Sequence, residues 1–173
     1  MISHDSDWIV DAPREEVWSA LHPQKDFDRK QTTIDNPRHI AFDNVRIEVL
    51  HEGDENGEGL VRRTWFAVPW YVGGKARSWE IVSEVRAPEY QRYDAVMTPP
   101  HCYAIGWYRL EALDGDRTRV HFHEEFRIEK GWLRWLERPI HRFLSADNDK
   151  NLKGIIEQAV AARRANSRAS VAA

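Results

Sequence analysis

The sequence predicts an α+β fold in which one strand and two helices precede six antiparallel strands and a long C-terminal helix. Three observations predict it. From Val45 to Ile128 polarity alternates with period two in successive runs, and turn residues separate them, so short loops should join the runs into an antiparallel meander. From Gly131 onward the period changes, with Leu133, Leu136, Ile140, Phe143, Leu144, Asn151, Ile155 and Ala159 recurring at three- and four-residue spacing. Near the start, an apolar-centred Asp7–Asp11 runs into Ala12-Pro13-Arg14-Glu15-Glu16, where proline and acids mark a helix beginning.

Each element follows from local chemistry. Val17, Trp18 and Leu21 share a face of the first helix, which His22-Pro23 ends because a residue before proline avoids the helical region. A second short helix is expected over Gln24–Lys30, and Thr32–Asn44 reads as irregular. Val45, Ile47 and Val49 alternate with Arg46 and Glu48 before the turn at Gly53–Gly57. Further strands are expected at Gly59–Val68, Ala76–Val85, Tyr90–Met97, Tyr103–Leu113 and Arg117–Ile128. Pro139 should kink or divide the last helix. Residues 1–162 read as a single domain and 163–173 as a frayed tail.

Composition narrows the function classes. A chain of 173 residues can bury about two-thirds of its unfolded surface, enough for a core or a cavity. With 25 Lys and Arg against 28 Asp and Glu, it lacks the basic excess of a nucleic-acid binder. The lone Cys102 cannot form an intramolecular disulfide, and Met1–Asp11 has no secretory pattern, so the cytoplasm is the expected compartment. No window approaches the roughly 18 apolar residues of a spanning helix, leaving only peripheral membrane contact. Eight Trp, five Tyr and six Phe stand out, as pocket lining or as core.

The element order and three phrases resemble the START-like (SRPBCC) superfamily, whose birch-pollen-allergen-like members share a helix-grip fold. The phrases are Trp8-Ile9-Val10-Asp11-Ala12-Pro13-Arg14-Glu15-Glu16-Val17-Trp18, Trp107–Val120 across a late hairpin, and Asn151-Leu152-Lys153 in the last helix. The polyketide cyclase and dehydrase group is the most similar. The resemblance implies a hydrophobic cavity between a curved sheet and the last helix, used for lipids, polyketides, sterols or hormones and only sometimes for catalysis. It transfers no catalytic motif and no cofactor.

Strand alternation then selects candidate wall residues. On the last strand Val120, Phe122, Phe126 and Ile128 share a face with Glu124, a carboxylate in an apolar row that reads as a shifted acid, a pocket-mouth group or half of an ion pair. On the preceding strand Ala104, Gly106, Tyr108 and Leu110 are expected inward, and Trp79 with Ile81 and Val85 on the fourth. Arg63 and Trp65 share a face whose direction the pattern leaves open; inward, Arg63 would be the counter-ion of Glu124 or of a ligand carboxylate. Tyr93, Ile140 and Phe143 complete the expected ligand-binding set, with Glu124 and Tyr108 as the catalytic candidates.

Other signals weigh less. His121-Phe122-His123 has metal-ligand spacing, but turning it inward would bury Arg119, Glu125 and Arg127, so it reads as an outer face without metal. Cys102 and His101 should point to opposite faces, which argues against a thiol–base pair. Lys130–Leu144 mixes Trp, Leu and Arg and suits either a membrane surface or the start of the packing helix; Pro69–Gly74 suits a lid or an ordinary loop. The expected function is a carrier or sensor of a mainly hydrophobic small molecule. The alternatives are a metal-free cyclase or dehydratase and a membrane-associated lipid or quinone chaperone.

Overall fold

A computed structural model describes residues 1–21, 46–67, 70, 73–98 and 101–171. The expected helix at Gln24–Lys30 and the irregular Thr32–Asn44 lie outside them. Seven strands form one antiparallel sheet in the order β1-β7-β6-β5-β4-β3-β2. They are β1 (Ile2–Val10), β2 (Arg46–Glu52), β3 (Leu60–Ala67), β4 (Lys75–Arg86), β5 (Tyr90–Thr98), β6 (Cys102–Leu113) and β7 (Arg117–Ile128), with helices α1 (Arg14–Leu21) and α2 (Glu137–Val171). Sequential strands β2 to β7 are neighbours, as the meander requires, and the first strand closes the sheet by pairing with the last.

Three departures from the expected boundaries have simple causes. β1 begins at Ile2 rather than Asp7 because the polar His4 and Ser6 face inward yet are satisfied there: His4 Nε2 lies 2.9 Å from Asp149 of α2, and Ser6 Oγ donates to the same carboxylate at 2.8 Å. The expected break at Pro139 falls earlier, where a 3-10 helix over Gly131–Leu136 gives way to α2 at Glu137. Pro139 then sits in the first turn, where its missing N–H leaves no bond unmade. Helix α2 continues through Val171, past the expected end at 162, over a segment rich in alanine and arginine, both strong helix formers.

The helix-facing side of the sheet, its inner face, carries two apolar layers. One joins Ala76, Ala95, Met97, Cys102, Ala104, Phe126 and Ile128 to Leu136 of the 3-10 helix and Ile140 near the start of α2. The other joins Val10, Ala12, Val17, Leu21, Tyr108, Leu110, Val120 and Phe122 to Ile156 and Val160 further along it. Tyr93 packs against both. Glu137 fixes the near end of the helix by accepting the backbone N–H of Ile128 at 2.9 Å.

Candidate functional site

Between the two layers the inner face turns polar. Strand registers set the arrangement: Arg62 of β3 is opposite Glu80 of β4, Tyr93 of β5 opposite Gly106 of β6, Gly106 opposite Glu124 of β7, and Glu124 opposite His4 of β1. One row further along, Gln91, Tyr108, Phe122 and Ser6 stand side by side. Arg62, Glu80, Tyr93, Tyr108 and Glu124 therefore form a band across five strands, β3 to β7.

Gly106 makes the band possible. A Cβ at 106 would fall within the Tyr93 ring, so only glycine lets that ring lie across its neighbouring strand. The tyrosine hydroxyl thereby reaches to 3.5 Å from Glu124 Oε1. Burial first, then the Glu124 and Glu80 carboxylates, hold the Tyr93 hydroxyl well above its ordinary pKa, with Arg62 working the other way. Tyr108 is raised well above it too, by burial, again with Arg62 opposing. Both hydroxyls keep their protons at neutral pH and can donate hydrogen bonds. Arg62 Nε donates to Glu80 Oε2 at 2.5 Å. Burial pulls the guanidinium pKa down, but Glu80, with Tyr93 and Tyr108, outweighs it and the net shift is upward, so Arg62 stays charged.

Tyr108, Phe122, Glu124 and Phe126 face inward as the alternation of β6 and β7 requires, all buried, and Ile140 of α2 is buried in the same layer as Phe126. The side chain of Phe143 lies outside the described residues. Three expected wall residues do not face inward. Arg63, Trp65 and Trp79 lie on the outer face: Arg63 Nε donates to Glu48 at 2.8 Å with its guanidinium 4.8 Å from the Trp65 ring centre, and Arg77 sits 5.1 Å above the Trp79 ring. A guanidinium laid over each ring shields it without burying it, which is why a large apolar residue misled the reading of orientation. Arg62, one residue earlier, holds the inward place that the pattern had left open for Arg63.

The band also includes residues that single-strand alternation missed. Arg62 and Glu80 were hidden because β3 has arginines on both faces and β4 has its larger apolar residues outside, with Ala76 and Ser78 inside. A bulge between Val82 and Glu84 shifts the phase, so Val85 could not report the orientation of Trp79. The usable signal was propagation: once β7 is oriented, pairing carries the inward phase through Gly106 and Tyr93 to Glu80 and Arg62.

At the helix side of the band stand His141 and Ser145 of α2, both buried, with the His141 ring 6.1 Å from that of His4 and 6.0 Å from Phe126. Burial, and then His4, lowers the pKa of His141. The Cys102 thiol, buried in the apolar layer, is pushed up to about 12 by burial and then by Glu129 and Glu137, so it is no nucleophile at neutral pH. On the outer face His121 Nδ1 and His123 Nδ1 each lie 2.7 Å from Asp7 and Asp5, and Trp107 stacks on His123. Both histidines thus point outward, and among the described residues no group of three or more His, Cys, Asp or Glu is placed to hold a metal ion.

No family model matches the chain, and no curated protein does. Solved structures do. A protein from Thermus thermophilus superposes with a TM-score of 0.64 at 16% identity, covering 94% of this chain and 99% of its own. Ara h 8.0201 gives 0.61 at 13% identity, over 92% and 98%. A START superfamily protein from Mycobacterium smegmatis gives 0.58 at 13% identity, over 91% and 96%. The chain has the START-like helix-grip fold. In that helix-grip frame the polar band lies on the face that α2 covers, and no helix among the described residues is long and apolar enough to cross a membrane.

Proposed function

We propose that this helix-grip chain binds a mainly apolar small molecule with one polar head, as a carrier or sensor, between the sheet and α2. The observation that carries the reading is the polar band set between two apolar layers, with Tyr93 reaching over Gly106 toward Glu124. A ligand lying along the inner face would rest its body on side chains such as Phe122 and Phe126 and its head among Tyr93, Tyr108, Glu124 and the Arg62–Glu80 pair. Two phenol donors and a carboxylate acceptor suit a hydroxyl or carbonyl head better than a second carboxylate, which Glu124 would repel. Native mass spectrometry of gently purified protein should show a co-purifying small molecule, depleted in a Tyr93→Phe/Glu124→Gln variant. Equal loading of variant and wild type would sink the assignment of the head to this band.

The Tyr93–Glu124 contact also favours a second reading, a cyclase or dehydratase. A carboxylate could take a proton beside a substrate carbonyl while a protonated phenol donates to the oxygen on which charge develops. Under that reading Glu124→Gln lowers turnover of the co-purified compound far more than its binding.

A further inference from the structure

The two ends of the sheet differ in a way the ligand reading does not use. The β3–β4 connection, the β5–β6 connection, the end of β7 and the start of β1 all lie at one end, because Ala67 pairs with Lys75, Met97 with Cys102, Cys102 with Ile128, and Ile2 with Phe126. That end carries the most exposed large apolar side chains among the described residues: Trp70 at 86%, Trp132 at 75%, Trp135 at 73% and Met1 at 64%. The 3-10 helix explains two of them. With three residues per turn, Leu133 and Leu136 fall on one side and pack into the apolar layer, so Trp132 and Trp135 are stacked on another side and held outward.

The same end is basic. Lys75, Arg127, Lys130, Arg134 and Arg138 are exposed there, with Glu129 as the exposed acid near them. The opposite end is net acidic, its turns carrying Asp11, Asp54, Glu55, Glu58, Glu89, Asp114 and Asp116 against Arg14, Arg86, Arg117 and Arg164 beside them. Such a charge separation orients the molecule in front of an anionic surface, and exposed tryptophans interleaved with lysine and arginine match the boundary between lipid headgroups and chains.

We propose that this end docks reversibly on an anionic lipid surface through Trp132 and Trp135, steered by Lys130, Arg134 and Arg138. Dispersed rings separated by cations suit a fluid interface that closes around each ring; a protein partner would need a matched set of pockets and acids. The inference stands apart from the ligand reading, since none of these side chains belongs to the polar band.

The test is co-sedimentation with phosphatidylcholine vesicles with and without roughly one-third phosphatidylserine. The full chain should bind the anionic vesicles, more weakly as salt rises, and should bind the neutral ones little. Each basic residue near such a surface strengthens association about fivefold, so Lys130→Ala/Arg134→Ala should weaken it roughly 25-fold. Trp132→Ala/Trp135→Ala should abolish stable binding while leaving the thermal midpoint near that of the wild type, because both rings are already in water. Unchanged binding in the Trp variant would overturn the proposal. So would a dimer, seen by sedimentation without vesicles and lost in that variant, in a protein that ignores lipid: the rings would then form a protein interface.

Discussion

Arg62 and Arg63 are consecutive, each pairs with a glutamate on the adjacent strand, and each has an aromatic ring within reach. They differ in the face they occupy. Arg63 couples Glu48 to the shielding of Trp65 on the outer face, whereas Arg62 couples Glu80 to the electrostatics of Tyr93 and Tyr108 on the inner face. The same residue types serve as surface cover on one side and as part of a candidate ligand site on the other, so the phase of the strand decides their role.

Substitutions can break this comparison, and the largest effect is expected at the backbone. Gly106→Ala should force the Tyr93 ring off its strand, costing about 1–3 kcal/mol as overpacking does and lowering the thermal midpoint by several degrees. Gly131→Ala, where nothing lies near the added carbon, should leave the midpoint almost unchanged. Equal midpoints for the two variants would show that Tyr93 does not lie over Gly106.

The arginines come next. Arg62→Met strands Glu80 among partly buried groups and should cost about 2–3 kcal/mol in denaturant unfolding, below the full penalty for breaking a buried pair because both partners retain some water contact. Arg63→Met should cost about 1 kcal/mol or less, since its pair is more exposed. The double Arg62→Met/Glu80→Met variant should recover most of the loss, because it leaves no unpaired charge.

The histidines give the smallest and most diagnostic contrast. His141 has a folded pKa below the ordinary imidazole value of 6.5, from burial and then His4, so protonation favours unfolding; its contribution is present above that value and lost as pH falls below it. His123 is the reverse. Partial burial works downward, but Asp5 and Glu125 outweigh it and the pKa is raised, so its contribution is present below 6.5 and lost as pH rises through the raised pKa. His141→Phe should therefore flatten the acid side of the stability profile, and His123→Gln should remove a few tenths to about 1 kcal/mol at pH 5 and less at pH 8. Unfolding curves across that range read both, and a His123 variant equally destabilised at both pH values would refute the outer-face pairing.

The same contrast explains what the sequence made legible. The six strands of the meander, their order and the orientation of β6 and β7 were readable, because Val120, Phe122, Phe126 and Ile128 alternate against charged neighbours and a tight Asp-Gly-Asp turn ties the two strands together. Orientation faded with distance from that hairpin. At β4 the outer face holds Trp79 and Ile81 while the inner holds Ala76, Ser78 and Glu80, so apolarity pointed the wrong way. The room for the Tyr93 ring comes from Gly106 on the next strand, and that reason appears only when the strands are considered together. His4 and Ser6 were unreadable in principle, since their partner Asp149 is more than a hundred residues away.

Whether a ligand head binds at the inner polar band can be decided by fluorescence titration with an uncharged aromatic probe that bears a carbonyl head, such as Nile red. It would be run on the wild type, Arg62→Met/Glu80→Met, Glu124→Gln and Arg63→Met at a pH where all four are folded. Saturable binding to the wild type is expected, with an affinity shifted about tenfold or more in the two inner-face variants and within about twofold of wild type for Arg63→Met, as follows from losing charged hydrogen bonds at one site and none at the other. Inner-face variants that bind like the wild type, or an Arg63 variant that shifts as far as they do, would place the head somewhere other than the band.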